Sequence, residues 1–326
     1  MKVYLSFFCI LALALTSCNR PDYKSYFGAV WGTTYHITYS HNSNLSDSIT
    51  AQMRQVELSL SIFDNQSTIY AINSGKSDSV DYHFEQVFNV AKRVYTLSHG
   101  AFNPCVEPLV EIWGFNGDEP IMSPMPDATT IKQTLQRICF DQCSIVDHRF
   151  IRPRSDIKLD FSAIAKGYGV DCVAQMLRRN GVDNYMVEIG GEIAVAGVNP
   201  DGKPWHILID APVRDTAPGD SALQVIEITE QAIATSGNYR NYRFDSNGNV
   251  YGHIIDPRTG YPTQSPTVSA TVVASTCVEA DALATACMVL SPFEALEMIE
   301  RANARVVLVV ADNSSSDFRI ISTLNQ

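Results

Sequence analysis

The chain has 326 residues, of which 45% are hydrophobic, and a formal net charge of −11. This apolar content is enough for a sizeable core, as one large domain or two smaller ones. The acidic balance, with no basic run longer than Arg178-Arg179, argues against a surface that tracks phosphates and so against a general nucleic-acid binder.

The first 18 residues form a leader that differs from the rest of the chain. Lys2 is followed by an apolar run and then by LTSC, and the run is too short to cross a bilayer comfortably. A small-residue segment ending in cysteine resembles a bacterial lipoprotein signal. Residues 1–17 would then be removed, Cys18 would be lipidated, and residues 18–26 would tether a domain spanning 27–326. An ordinary cleaved signal peptide with an incidental cysteine is the alternative.

The predicted elements of the first half mix strands and helices. Residues 27–40 alternate like a strand, and a helix from Ser46 follows with apolar residues spaced by three and four, namely Ile49, Met53, Val56, Leu60 and Phe63. The remaining predictions are a helix over 83–98 closing at Gly100, an irregular loop over 101–115, a linker over Pro120–Pro126 and a short helix over 127–137.

The second half is richer in strands. We predict strands in IKLDF, in both parts of YMVEIGGEIAVAG, and in WHILIDAP, ALQVIEIT, AIATSG, VSATVVAS and RVVLVVAD, with a hairpin turning at Asn247-Gly248. Helices are predicted after Ser162, after a Thr276–Glu279 capping box, and over 292–303. Hairpins without a regular βαβ rhythm indicate a single compact α+β domain with mixed or antiparallel sheets and packed helices.

Six cysteines lie outside the leader and are scattered, mostly among apolar neighbours: Cys105, Cys139, Cys143, Cys172, Cys277 and Cys287. Cys139 and Cys143 are close enough in sequence to form a disulfide in an oxidising compartment. Metal-type CxxC pairs are absent from the sequence, and buried free thiols are the other state open to these residues.

The stretch FSAIAKGYG places a charged residue where helix rules disfavour it. Lysine suits the C-terminal end of a helix, yet Lys166 follows Ser162, a good N-cap, by only four residues, and Gly167 and Gly169 flank it. A helix N-terminus with a nearby lysine can bind phosphate. A surface lysine beside a glycine-loosened helix is the alternative.

Two further motifs carry candidate chemistry. In ADALATA, Asp281 and Thr285 stand four apart and so share one helix face. A carboxylate and a hydroxyl suit Mg²⁺, although Asp281 could simply favour the positive end of its helix. In GHIIDPRTGYP, His253 precedes turn residues and could act as a general base or a ligand, or be structural.

The motifs occur together in one order along the chain: GTTYHITY, LSIFDNQSTIYAIN, GAFNPCVEPLVEIWGF, LDFSAIAKGYGVD, VEIGGEI, ATSGNYRNY, HIIDPRTGYP and ADALATA. In this combination the chain resembles the ApbE family, the FAD:protein FMN transferases, from about Gly28 to Ala311. The resemblance implies a T-fold-like α+β domain, FAD as the flavin donor and Mg²⁺ at its pyrophosphate.

Residue by residue, the resemblance implies a metal site made by the Ala163 carbonyl and the side chains of Asp281 and Thr285. Lys166 would meet the FAD phosphates. The remaining cofactor contacts would come from Trp31, Phe63, Ala101, Phe102, Asn103, Asp160 and His253. Four positions depart from the family's usual residues and bear on the details of flavin contact: Trp31 for methionine, Phe63 for tyrosine, Asn103 for aspartate and Cys105 for threonine.

The resemblance also implies the reaction. A threonine or serine hydroxyl of an acceptor protein would attack the FMN phosphorus and release AMP, with His253, or second Asp281, as the base and Lys166 stabilising charge. The acceptor would be a periplasmic domain of a membrane redox complex, and the enzyme would be lipid-anchored on the periplasmic side. An FAD pyrophosphatase and a non-enzymatic flavin-binding lipoprotein are the alternatives.

Overall fold

The computed structural model describes residues 22–115, 125–212, 222–238, 242–244, 250–312 and 318–324. Cys18 and the leader, most of the predicted linker over Pro120–Pro126, and the predicted Asn247-Gly248 turn lie outside these ranges. Among the described residues, no helix is long and apolar enough to cross a membrane.

The described strands are β1 (Tyr23–Val30), β2 (Thr33–Ser40), β3 (Ser144–Val146), β4 (Arg149–Ile151), β5 (Tyr185–Ile189), β6 (Glu192–Ala196), β7 (Trp205–Asp210), β8 (Ala222–Ile228), β9 (Gln231–Gly237), β10 (Tyr242–Phe244), β11 (Val250–Gly252), β12 (Ile255–Asp256), β13 (Tyr261–Pro262), β14 (Thr267–Ala274), β15 (Arg305–Ala311) and β16 (Phe318–Ser322). Eight of them form one antiparallel sheet in the order β1-β2-β5-β6-β9-β14-β15-β16. The other described strands pair as four separate hairpins: β3-β4, β7-β8, β10-β11 and β12-β13.

The described helices are α1 (Ser46–Leu60), α2 (Thr68–Asn73), α3 (Tyr82–Leu97), α4 (Glu107–Ile112), α5 (Ala128–Leu135), α6 (Ala165–Arg179), α7 (Cys277–Val289) and α8 (Pro292–Arg301). Helix α7 lies against β9 and β14 and also contacts α3 and α6. Its residues are apolar nearly all round and almost all buried, as expected of a helix at the centre of a core. The predicted α+β class is therefore confirmed.

The N-terminal end of α7 is held by α6 rather than by its own residues. The Asp171 carboxylate accepts hydrogen bonds from the backbone N–H groups of Cys277 and Val278, at 2.9 and 2.8 Å. The predicted capping box is wrong, because Thr276 makes no side-chain cap bond and Glu279 pairs instead with Arg93 at 3.1 Å. These bonds tie α7 to α6 at one end.

Several other local predictions are wrong for identifiable reasons. Residues 27–40 form a hairpin rather than one strand, because Trp31 and Gly32 turn the chain with φ of 50° and 76°, and β1 begins at Tyr23, inside the expected tether. IKLDF is not a strand; the Asn73 side chain binds both the N–H and the carbonyl of Leu159. The loop predicted over 101–115 contains α4.

The cysteines are free thiols in the described chain, so the Cys139–Cys143 disulfide is not formed. A 3-10 turn over Phe140–Gln142 separates the two residues. The Cys143 thiol contacts the Cys139 carbonyl oxygen at 3.6 Å, and Cys143 is buried in the main core cluster. The free state is the other possibility that the sequence left open.

Candidate active site

Lys166 lies in the first turn of α6, but Ser162, the residue expected to cap this helix, does not cap it. The helix begins at Ala165, and its N-cap, Ile164, makes no side-chain cap bond. Ser162 instead donates from its hydroxyl to the Asp160 carboxylate at 2.5 Å, and its backbone N–H donates to the same oxygen at 2.8 Å. The Ser162 cap is therefore wrong, and Asp160 organises the turn that leads into α6.

The Lys166 ammonium is paired inside the protein. Its Nζ lies 2.6 Å from Oε1 of Glu192, whose side chain is only 4% exposed. Burial by itself lowers the pKa of Lys166, but the carboxylates of Asp281 and Glu192 outweigh burial and raise the pKa above its ordinary value. Burial, followed by the Asp281 charge, raises the pKa of Glu192 to about 8, although Lys166 opposes the rise.

Asp281 reaches this cluster from α7 because α6 and α7 approach closely. Its Oδ2 accepts a hydrogen bond from the Gly167 backbone N–H at 3.0 Å. A Cβ on Gly167 would lie 2.3 Å from the Cys277 carbonyl oxygen and 2.8 Å from the Asp281 Cβ. Glycine is therefore required at this contact, which accounts for one of the two glycines beside Lys166.

Most of the predicted site residues line one cavity of about 380 Å³. It is bounded by Ala101, Phe102, Asn103, Asp160, Ala163, Lys166, His253, Asp281 and Thr285 among others. The Thr285 hydroxyl also lies 3.3 Å from the Ser236 hydroxyl. These residues come from loops, α6, α7 and β9, so the tertiary fold brings separate motifs together.

The donor atoms of this cavity suit a hard divalent cation. Asp281 supplies a buried carboxylate, Thr285 a hydroxyl and Ala163 a backbone carbonyl, and all three residues line the cavity. Magnesium prefers such oxygen ligands and few of them, since it keeps waters and substrate phosphates. The described residues contain no group of three or more histidine, cysteine or acidic side chains that could hold a metal, so the fit rests on mixed oxygen donors.

The two remaining predicted residues, Trp31 and Phe63, lie in a neighbouring cavity of about 570 Å³. Lys166 and Ser162 line both cavities. Phe63 is 89% exposed at the rim, whereas the Trp31 indole is packed over Gly169, where a Cβ would lie 2.2 Å from the ring. The indole N–H is buried and has no hydrogen-bond partner in the part of the chain that the structure describes. The predicted cofactor contacts thus fall into two sets, and Lys166 lines both cavities.

Sequence reasoning did not single out Glu192 or Ser236 as site residues. Glu192 is an acidic residue at a buried position of an apolar strand, directly after Gly190 and Gly191, which both have positive φ. A charged residue at an inward-facing strand position violates the usual pattern and could have marked the site. Ser236 gives no comparable sequence signal, because a serine in a strand is ordinary.

Comparison with known proteins agrees with this architecture. The ApbE family model matches residues 31–309. The chain belongs to the ApbE family. The family expected from the motifs is therefore confirmed.

Relatives and solved structures of the family cover nearly the whole chain. The FAD:protein FMN transferase of Vibrio cholerae is 36% identical over 91% of each chain, and that of Haemophilus influenzae is 34% identical over 95% of this chain and 94% of its own. The crystal structure of Pseudomonas stutzeri flavinyl transferase ApbE in its apo form matches with a TM-score of 0.82 and 30% identity, over 93% of this chain and 95% of that one. This ApbE chain therefore shares the fold of that structure over 93% of its length.

We predict that Gly169 and Trp31 are energetically coupled. With Trp31 present, Gly169→Ala should lower the free energy of unfolding by about 1–3 kcal/mol, because the added methyl group overpacks against the indole. In a Trp31→Met background the same change should stabilise by up to about 1 kcal/mol, since the thioether can move aside and alanine is the better helix former. Urea unfolding of the four proteins measures both values; equal effects of Gly169→Ala in the two backgrounds would show that the contact carries no energy.

Proposed function

We propose that this ApbE-family protein transfers the FMN part of FAD to a threonine or serine hydroxyl of an acceptor protein and releases AMP. The observation that carries the proposal is the position of Lys166, which lines both cavities and lies beside a set of oxygen donors fitted to a divalent cation. The names of the relatives, FAD:protein FMN transferase, support the same activity.

The two cavities fit the two-ended shape of FAD. Its pyrophosphate joins a flavin half to an adenosine half, so a phosphate-binding residue should lie between two ring-binding spaces. Lys166 has that position, with Trp31 and Phe63 on one side and Ala101–Asn103 on the other. Lysine provides a point charge for phosphate oxygens. Gly190 packs beside this side chain, since a Cβ there would lie 2.9 Å from the Thr33 Cγ2 and 3.3 Å from the Lys166 Cδ.

In the proposed reaction the acceptor oxygen forms a bond to the FMN phosphorus, and the bond from that phosphorus to the bridging oxygen breaks. AMP leaves with the bonding electron pair, and the acceptor proton passes to a base. His253 lines the cavity and is the first candidate for that base, with Asp281 second. Lys166 holds the phosphoryl oxygens in place and offsets the charge that develops on them.

A magnesium ion fits the oxygen donors of the cavity, and the residues that would hold it are Asp281, Thr285 and Ala163 through its carbonyl. When bound, the ion would neutralise negative charge on the pyrophosphate. Asp281 is fixed for this role by the Gly167 N–H, so its orientation does not depend on the ion. This arrangement preorganises the site before substrate arrives.

Two alternatives share parts of this site. An FAD pyrophosphatase would use the same phosphate and cation residues with water as the acceptor, giving FMN and AMP. A non-enzymatic flavin-binding lipoprotein would hold FAD intact. The grouping of Lys166, Asp281 and Thr285 in the lining of one cavity favours phosphoryl chemistry over storage, because storage does not require a cation site at the pyrophosphate.

The cellular setting follows from the leader as part of the same proposal. With Cys18 lipidated after removal of residues 1–17, the domain would lie on the periplasmic side of a bacterial membrane. A membrane redox complex that exposes a periplasmic threonine or serine motif is then the fitting acceptor, since enzyme and acceptor would share one surface. The acidic chain, at a net charge of −11, fits a protein partner and not nucleic acid.

Transfer of FMN can be measured directly. The purified protein is incubated with FAD, Mg²⁺ and an acceptor domain that carries a threonine motif. The acceptor is then denatured, and its intact mass is measured by mass spectrometry. We expect one FMN phosphoryl group per acceptor with equimolar AMP, loss of transfer in EDTA, and no transfer to the Thr→Ala acceptor. Free FMN with unmodified acceptor would identify the pyrophosphatase instead, and intact FAD without AMP would identify a binding protein.

Substitutions of the cation ligand Asp281 and of the phosphate-binding Lys166 should respond differently to Mg²⁺. Asp281→Ala weakens coordination, so its loss of turnover should be partly recovered at high Mg²⁺ by mass action. Lys166→Ala removes a charge from the phosphoryl oxygens, and its defect, on the order of 10²-fold, should persist at saturating Mg²⁺. Turnover is measured across a Mg²⁺ titration with FAD saturating. Equal rescue of both variants would contradict a direct contact between Lys166 and the transferred phosphate.

Membrane attachment should depend on Cys18. We expect Cys18→Ser to move the protein from the membrane fraction to the soluble fraction, because stable anchoring requires lipid chains on that residue. The transfer rate of a leaderless form should not change, since the residues that line the cavity all belong to the predicted domain over 27–326. Fractionation of both forms measures this, and tight membrane retention of the Cys18→Ser protein would rule the anchor out.

A further inference from the structure

Glu192 is a buried carboxylate of the cavity that pairs with Lys166. It is the first residue of β6, it is 3% exposed, and it lines the cavity together with Lys166 and Asp281. One carboxylate oxygen, Oε1, binds the lysine ammonium at 2.6 Å. The cluster therefore contains one cationic and two anionic side chains within a small buried volume.

The second oxygen of Glu192 has no partner among the described residues. Oε2 is buried and accepts no hydrogen bond. A buried acceptor without a donor is destabilising, and in native structures such a group often binds an ion or a water molecule. The arrangement indicates that a donor or a cation reaches this oxygen when the site is filled.

The charges of the cluster decide which ligands can enter it. The Lys166 ammonium, 2.6 Å from Oε1, opposes the rise in the pKa of Glu192 and so favours its ionised form. In that form Lys166 is neutralised by one carboxylate, and Asp281 leaves an excess of one negative charge. The pyrophosphate of FAD carries two negative charges, so this cluster alone repels it. A divalent cation reverses the sign of the cluster. One unit charge at about 6 Å, in the effective dielectric of a protein site, changes binding by tenfold or more.

We propose that Glu192 makes FAD binding conditional on the divalent cation, so that the cation and FAD occupy the site together. Glu192 is a positioning and specificity-determining residue that acts through Lys166 and through the charge of the cavity. The site thereby discriminates against phosphate compounds that arrive without a cation. The inference rests on the proposed function only in taking FAD and Mg²⁺ as the ligands.

The test measures FAD affinity of the full chain in detergent, by isothermal titration calorimetry at about pH 9, where a Glu192 with its raised pKa is ionised. Titrations are done in EDTA and in saturating Mg²⁺. For the unaltered protein we expect Mg²⁺ to tighten FAD binding at least about tenfold, and FAD to tighten Mg²⁺ binding by the same factor, because coupling is reciprocal.

Glu192→Gln keeps the shape of the side chain and removes its charge. We expect its FAD affinity in EDTA to be about tenfold higher than that of the unaltered protein, with a correspondingly smaller gain from Mg²⁺. Glu192→Ala also removes the charge and should raise FAD affinity in EDTA by the same factor. It replaces the Gln variant in the test if that variant does not unfold cooperatively. The matched control is Glu227→Gln, which removes an equal charge from an exposed residue of β8 and should leave both affinities unchanged.

Two results would overturn the inference: FAD affinity of the unaltered protein that does not respond to Mg²⁺, or Glu192 variants that bind FAD in EDTA no more tightly than the unaltered protein. These results are independent of the transfer reaction. If FAD and Mg²⁺ bind independently while FMN transfer is intact, only the inference is wrong. If their binding is coupled but no FMN is transferred to any hydroxyl, only the proposed function is wrong.

Discussion

The close approach of α6 and α7 at Gly167 is the constraint on which the site depends. The Gly167 N–H donates to Asp281, and no side chain larger than hydrogen fits between this residue and the Cys277 carbonyl. One helical turn further along α6, Asp171 receives the first N–H groups of α7. Two contacts therefore fix both the spacing of the helices and the position of α7 along its axis, and the site is built at the end where they meet.

This packing explains a lysine at the start of a helix. A cation in the first turn opposes the helix dipole, an effect of about 0.3–1 kcal/mol. Here Asp281 from α7 and Glu192 from β6 surround the ammonium and raise its pKa, so the local penalty is more than offset. The carboxylates that stabilise the lysine also weaken its attraction for phosphate. In the proposed site a divalent cation would supply the positive charge that the paired lysine does not.

The Trp31 turn shows a second adjustment between distant segments. The tryptophan adopts a positive φ between β1 and β2 and lies over Gly169 of α6. A bulky residue at this φ is uncommon and is held by its surroundings. The family's usual methionine would need no such space, so the indole and the glycine form one unit in this chain. Trp31 and Lys166 both line the second cavity, and the buried indole N–H has no hydrogen-bond partner among the described residues.

The family, the α+β class and helices α1 and α3 could be predicted from the sequence alone, and so could a shared site for Lys166, Asp281 and Thr285, which line one cavity in the structure. These predictions were possible because motif order and residue spacing are properties of the chain. The three-dimensional structure was needed to show that Ser162 and Thr276 are not caps, that Trp31 turns a hairpin, and that Glu192 pairs with Lys166. Two of these outcomes depend on partners far away in sequence: Asp171 accepts the first N–H groups of α7, and Glu192 pairs with Lys166. Ser162 is held instead by Asp160, two residues before it, through a turn that competes with the helix cap. Such contacts override local propensities of about 1 kcal/mol, so these features of the site could not be predicted from local sequence.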